Sequence, residues 1–458
     1  MISNLKEQLS LHKFPLLFFI SICGFYWSFG YDLDRTDFIK LFSLYAALFF
    51  ASWKFFQMER LNFNFLVAAT ILFRLVFLFS IPNLSQDFYR FLWDGKIFLQ
   101  GLNPYLSIPA EYLPTGDLPF PGANELITGM GSLSAGNPTN YPPLNQVLFA
   151  LSAFIGGKSI LVSVVTLRTI IIAADIGILY FGRKLLRSIN LPENRIFWFL
   201  LNPFVIIELT GNLHFEGVMI FFLLAALYFL TQKKWVWSAV FLACSVSVKL
   251  IPLLFLPLFF KRLGSKKAFQ YYLVVAFLIL LFFLPFISSR FFENYFASIN
   301  LWFQKFEFNA SIYYLVREIG FLMEGYNIIQ IAGPLLGFLV FCGVLILAFS
   351  RKNTDLKNLS TSMLFAMSLY LFLATTVHPW YLATPLILSI FTPYRYMLVW
   401  SFTVILSYFA YSHPDFNENL WVVGLEYLLV FGFMAWEFSK KGLLKGTRIK
   451  PKEEYTSV

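Results

Sequence analysis

The sequence predicts an all-α, polytopic integral membrane protein of roughly 12–14 transmembrane helices, with external loops that carry short surface helices. Three observations predict it. The 458 residues are 58% hydrophobic and only 13% charged, a balance too apolar for a soluble chain of that length. Apolar runs recur at 14–30, 38–56, 63–80, 160–181, 196–210, 215–230, 235–248, 251–260, 269–287, 328–349, 359–377, 380–390, 397–411 and 420–438. When these runs are threaded back and forth, almost every Lys and Arg cluster falls on one side and every motif able to do chemistry falls on the other, as the positive-inside rule requires.

The segment 1–80 reads as N-terminal transmembrane helices. Its first run is long and lacks a small-residue cleavage site, so it reads as a retained helix rather than a cleaved signal peptide. Lys6, Lys13, Lys54 and Arg60 fall on the basic side, while Asp32, Asp34 and Asp37, around a single Arg35, fall opposite. The segment 81–143 is an external loop, rich in Pro and Gly, with a helical stretch inside it. The transmembrane core, 144–438, returns Arg183, Lys233, Lys261, Arg262, Arg351 and Lys352 to the basic side, and a second external loop, 288–327, mixes aromatic with charged residues. Both loops are too aromatic for disordered tails, and short helices lying on the outer surface over a cavity are expected of them. The segment 439–458 is a basic cytoplasmic tail.

Several runs are shorter than the ~20 residues a span needs, so tilted, broken or extended helices are expected. Both termini are cytoplasmic by this threading, in a multi-pass cell membrane protein. The net charge of +10 is an orientation and anionic-lipid signal, so the expected partners include the membrane and exclude nucleic acid. Cys23, Cys244 and Cys342 each sit in an apolar run and read as small buried hydrophobes. Arg74 and Arg168, in or near spans, are expected to pair or snorkel, and Asp175 to find a hydroxyl or basic partner. Asn309-Ala310-Ser311 fits the glycosylation tripeptide, a pattern that arises by chance. His413-Pro414-Asp415 reads as an external turn.

The densest constellation is Ser85-Gln86-Asp87-Phe88-Tyr89-Arg90-Phe91-Leu92-Trp93-Asp94-Gly95, continuing to Gly101-Leu102-Asn103-Pro104-Tyr105. If Ser85 caps a helix, Asp87, Arg90 and Asp94 share one face and present carboxylate, guanidinium and carboxylate to one space. That suits a reaction needing a base and a phosphate clamp. The alternative has Asp87 favouring the helix N-terminus and Arg90 pairing only with Asp94. Lys249 lies in an otherwise apolar hairpin, where an unpaired ammonium costs ~2.5–3.5 kcal/mol; it either snorkels, pairs with a carboxylate, or serves a site.

An Asp at a membrane exit followed by Tyr-Arg, Trp-Asp-Gly and Gly-x-Asn-Pro-Tyr, with Tyr141-Pro142-Pro143-Leu144 opening the next apolar run, resembles the GT-C superfamily of polyprenol-phosphate-sugar-dependent glycosyltransferases, in its bacterial mannosyltransferase-like branch. Gly211-Asn212-Leu213-His214-Phe215-Glu216-Gly217, Val248-Lys249-Leu250-Ile251-Pro252 and Val377-His378-Pro379-Trp380-Tyr381 resemble that branch in the same order. The resemblance covers roughly Leu84 to Ile390, with the first two helices as an extension ahead of it. It implies that Asp87 is the catalytic base. Related sequences often carry two adjacent acids here, whereas this chain has Gln86-Asp87, which leaves Asp94 as the other candidate.

The resemblance further implies a sugar, of which mannose is the one the branch suggests, moving from a polyprenyl-phosphate donor to a lipid-linked or glycan acceptor at the extracytoplasmic face, with inversion. Arg90, Lys249 and His378 are the candidate phosphate ligands. Tyr89, Trp93, Asn103, Tyr105, Tyr141, Asn212, His214, Glu216, Trp380 and Tyr381 are the candidate substrate contacts. His214 and Glu216 are ligand types for a metal, but their i, i+2 spacing is a poor signature, and no cofactor is expected. A lipid-linked-saccharide flippase and a whole-glycan ligase are the other functions open; a flippase calls for polar residues through both halves of a path, whereas here they concentrate at one face.

Overall fold

The computed structural model describes residues 2–412 and 416–441. The turn at His413-Pro414-Asp415 and the tail beyond Lys441 lie outside the described residues. Helix α1 is Ile2–Tyr31, α2 Phe38–Glu59 and α3 Phe63–Leu75. Polar caps start α2 and α3, where Asp37 accepts from the Lys40 amide and Asn62 from the Phe65 amide. Helix α4, Asp87–Leu99, is followed by α5 Pro143–Gly156, α6 Ile160–Ser188, α7 Glu216–Thr231 and α8 Trp235–Val248. Beyond them come α9 Ser265–Phe283, α10 Ser289–Gln304, α11 Ile312–Glu324, α12 Ile329–Ser350 and α13 Leu356–Leu373. Short α14 Ala383–Ser389 and α15 Tyr396–Thr403 precede α16 Leu420–Lys440. Among the described residues there is no strand beyond one bridge between Phe308 and Thr376.

Among the described residues, seven helices are long and apolar enough to cross a membrane, and one sharply bent pair makes an eighth. Four shorter apolar helices, Phe63–Leu75, Pro143–Gly156, Trp235–Val248 and Tyr396–Tyr411, bring the set to the lower end of the expected range. The expected run at 251–260 is a 3₁₀ segment, Ile251–Phe259, because Pro252 and Pro257 remove backbone donors. The run at 380–390 likewise divides into a 3₁₀ turn, Pro379–Leu382, and α14.

The bent pair joins Pro203–Gly211 to α7 at 111°. Its first limb ends in a π-helical stretch, Ile206–Gly211, and Leu213 sits at φ 63°, a left-handed conformation that costs a non-glycine residue ~1–2 kcal/mol. Buried polar groups hold the bend. Arg168 donates to the carbonyls of Thr210, Gly211, Leu78 and Ser80 at 2.8–2.9 Å, which satisfies the carbonyls that the interrupted helices leave open. Arg74 pairs with Asp175 at 2.6 Å, both buried, so the lone acid of α6 finds a basic partner.

The basic clusters gather by contact. Arg183 and Arg187 pair with Glu193, Asn194 donates to the Arg60 carbonyl, and Arg195 reaches the Thr392 carbonyl. Lys441 reaches Pro393, while Lys261 and Arg262 hold the 349–354 turn. One expectation is corrected. Cys23, Cys244 and Cys342 are half-buried rather than buried, since their helices turn one face outward. Asn309 is fully buried, donating to Glu426 and accepting from Tyr427, so its side chain is not open to glycosylation.

Candidate active site

A cavity of about 520 Å³ opens where α4, residues 130–142, the 249–254 segment, α10 and the 378–381 turn converge. Its wall holds Asp87, Arg90, Tyr141, Lys249, His378, Trp380 and Tyr381 among the expected residues. Helix α4 supplies the first two. The Ser85 hydroxyl accepts from the Asp87 amide at 3.3 Å, but Gln86 rather than Ser85 occupies the N-cap position, and its side chain makes no cap bond. Gly95 lets α4 lie against α5: a Cβ there would come within 2.2 Å of the Phe149 carbonyl oxygen.

Tyr141 donates to Asp87 Oδ2 at 3.3 Å. Burial pushes the Asp87 carboxyl above the usual carboxylate range, with the Lys249 ammonium and the Tyr141 hydroxyl acting against that rise. Lys249 is 2.5 Å from Glu216 Oε1, and its ammonium lies 5.7 Å from the Tyr141 ring centroid and 6.0 Å from that of Tyr381. Two of the readings open for Lys249 therefore coexist: it is paired with a carboxylate and also lines the cavity.

Arg90 is buried. Its Nε donates to Asp94 at 2.8 Å, and Nη1 to the Ser134 and Asn137 carbonyls, while Nη2 has no protein acceptor. Asp94 is fully buried and also accepts from Gln146 at 3.2 Å. It is absent from the cavity wall and orients the guanidinium from behind.

On the opposite wall His378, Trp380 and His214 form a stack. The Trp380 ring lies 4.5 Å from that of His378 and 3.6 Å from that of His214, nearly parallel to both. His214 and Glu216 thus stand behind the wall rather than in it, His214 against Trp380 and Glu216 against Lys249. Asn212 donates to Glu208 at 3.3 Å, one layer deeper.

Four candidate substrate contacts lie elsewhere. Trp93 is fully buried between Tyr112 and Phe120, and Tyr89 packs on Phe88. Asn103 donates to the Phe286 carbonyl, and the Tyr105 hydroxyl donates to the Tyr141 carbonyl at 2.8 Å. Gly-x-Asn-Pro-Tyr therefore anchors the loop that carries Tyr141.

The cavity also takes residues that motif reading passed over. Arg35 comes from the loop before α2, Tyr408 and Tyr411 from the end of the Tyr396–Tyr411 helix, and Phe306 and Phe308 from the segment between α10 and α11. The Phe308 amide donates to the Thr375 carbonyl, and the Val377 amide to the Phe308 carbonyl, which docks that loop beside His378. Glu208, in the π-helical stretch, accepts from Tyr408 at 2.8 Å and lies 3.8 Å from His214. The available signals were a single cation among three acids for Arg35 and an acid in an apolar run for Glu208. Among the described residues no group of three or more His, Cys, Asp or Glu side chains is arranged to hold a metal ion.

Residues 35–263 match the sequence model of the family described as alpha-(1->6)-mannopyranosyltransferase, N-terminal domain. The match begins at Arg35, so α2 lies inside it and only α1 precedes it. The chain is 20% identical over 338 residues to alpha-(1->6)-mannopyranosyltransferase A of Mycobacterium tuberculosis, covering 70% of this chain and 63% of that one. It is 29% identical over 152 residues to alpha-(1->6)-mannopyranosyltransferase B of Corynebacterium glutamicum, covering 32% of this chain and 24% of that one. The matched stretches thus span less than two thirds of either relative's length.

Proposed function

This chain belongs to the alpha-(1->6)-mannopyranosyltransferase family, and on that premise we propose that it is a membrane mannosyltransferase that uses a polyprenyl-phosphate-linked donor at the extracytoplasmic face of the cell membrane. The observation that carries the reading is one carboxylate, Asp87, on a cavity wall between a tyrosine hydroxyl and a lysine ammonium, with a second cation, Arg90, on the same helix. The acceptor is a hydroxyl of a lipid-linked or glycan molecule. Its oxygen attacks the anomeric carbon as the bond from that carbon to the phosphate oxygen breaks. The phosphate leaves with the electron pair, Asp87 takes the hydroxyl proton, and the configuration inverts.

Lys249, the free edge of Arg90, and His378 meet the phosphate charge that grows as the bond breaks. Tyr141, Trp380 and Tyr381 supply hydroxyl and ring surfaces for sugars, and Asn212, His214 and Glu216 set these groups from behind. No cofactor has a part in this scheme. The meeting of Arg60 and Arg183 with residues 193–194, of Arg195 with Thr392 and of Lys261 with Phe349 supports a cytoplasmic end distinct from the cavity.

The test is sugar transfer by purified protein in detergent, from a polyprenyl-phosphate mannose to a glycolipid acceptor, with no second compartment and no membrane potential. Transfer is expected, and Asp87→Asn should abolish it. A protein that carries lipid-linked saccharide across liposomes and never breaks the sugar–phosphate bond would be a flippase, and this reading would fall. Transfer of a preassembled glycan rather than a single sugar would make it a ligase.

A further inference from the structure

The cavity presents three cations, and they are not equivalent. Lys249 is 2.5 Å from Glu216, and Arg90 is 2.8 Å from Asp94, so each brings its own carboxylate from behind the wall. Arg35 does not. The three acids of its loop make their hydrogen bonds elsewhere: Asp32 with the Lys40 ammonium at 2.7 Å, Asp34 with the amide and hydroxyl of Thr36, where the Arg35 charge acts on it without direct contact, and Asp37 with the Lys40 amide. Among the described residues no carboxylate pairs with Arg35. Its guanidinium lies over the Tyr411 ring, 4.8 Å from the centroid, and both residues line the cavity.

We propose that Arg35, held on the Tyr411 ring, is an anion site that binds a phosphate of a lipid substrate. A guanidinium stacked on a ring keeps its N–H edge free, and that planar edge matches two phosphate oxygens at once. Lys249 and Arg90 each face a carboxylate as well as the cavity, so Arg35 adds to those proposed phosphate ligands a cation with no carboxylate of its own. The same cavity is lined by Leu250, Ile251, Leu254, Ile299 and Leu301, so charged and apolar walls together suit a phosphate that carries a hydrocarbon chain better than a free phosphate ion. The loop before α2 thereby becomes part of the binding machinery. This inference rests on the proposed use of a phosphate-bearing lipid; the phosphate belongs either to the donor or to the acceptor.

The test reads binding without turnover, so a failure of the transfer reading stays distinguishable from a failure of this one. Full-length protein in detergent is titrated calorimetrically with a sugar-free polyprenyl monophosphate and, separately, with a short-chain phosphatidylglycerol. Arg35→Gln should weaken binding of one of the two about 10–100-fold, the range for a lost charge-assisted contact. Arg35→Lys, which keeps the charge and loses the planar edge, should weaken it less, and Tyr411→Leu should weaken it without removing any charge. Weakening confined to the monophosphate assigns the site to the donor; weakening confined to the phosphatidylglycerol assigns it to the acceptor. Wild-type affinity for both lipids in Arg35→Gln, or no saturable binding of either lipid by the wild type, overturns the proposal. Thermal unfolding of each variant checks that a loss of binding is not a loss of fold.

Discussion

Asp87→Asn is the most searching perturbation of the proposed chemistry, because the surroundings of that side chain permit an isosteric exchange. The asparagine amide oxygen can still accept from Tyr141, which now donates at 3.3 Å, and the helix start keeps the Ser85 contact to the residue 87 amide. Folding should therefore change little. The variant loses the group that takes the acceptor proton, which is worth ~10²–10⁴ in rate, or about 2.7–5.5 kcal/mol of barrier. It also removes the negative charge that faces Lys249, so an anionic donor should bind as well as before or better. The assay is single-turnover transfer of radiolabelled sugar with purified protein, alongside donor-lipid titration. A rate constant within about tenfold of wild type would refute the assignment of Asp87 as base, and a lost thermal transition would refute the claim that the exchange is isosteric.

The pH profile of transfer should carry the same signature. Burial raises the Asp87 carboxyl above the usual carboxylate range, and the base works only when deprotonated, so activity should climb with pH through a limb lying above that range. Tyr141→Phe removes a hydrogen bond that favours the carboxylate and should move the limb to higher pH; an unmoved limb would point to another group. Gly95→Ala should cost several kcal/mol and drop the unfolding temperature, because its methyl would meet the Phe149 carbonyl oxygen at 2.2 Å; wild-type stability would remove the close-approach role given to that glycine. Arg168→Leu leaves the carbonyls of Thr210, Gly211, Leu78 and Ser80 without their donor, each costing ~1–3 kcal/mol if unmet, so the variant should fail to give a monodisperse gel-filtration peak, and a normal peak with a normal melting curve would contradict it.

Much of this protein was legible along the chain. Apolar runs predicted the helices and their order, and with them an all-α membrane fold. Those properties are local, since a span must satisfy its own backbone and a basic flank acts on its own helix. Asp87, Arg90 and Lys249 were readable for the same reason: a charged group near hydrocarbon is conspicuous wherever it occurs. The expected division of roles among them was less readable. Asp94 and Glu216 differ little from Asp87 as letters, yet Asp94 lies behind Arg90 and Glu216 behind Lys249, while Asp87 faces the cavity.

What the tertiary structure alone decided is which side chains meet across long separations. Trp380 lies stacked between His214 and His378, Phe308 is docked beside His378 by the hydrogen bonds to Thr375 and Val377, and Arg35 rests on Tyr411. Helical period relates residues three or four apart and is silent about partners hundreds of positions away. The 111° bend that ends at α7 is set by the same kind of contact, four carbonyls converging on Arg168 from two segments. The sequence by itself determined that this chain is a helical membrane protein; packing decided which of its many polar residues face the cavity and which merely hold it open, because in a low-dielectric interior a buried charge is stable only where the fold brings it a partner.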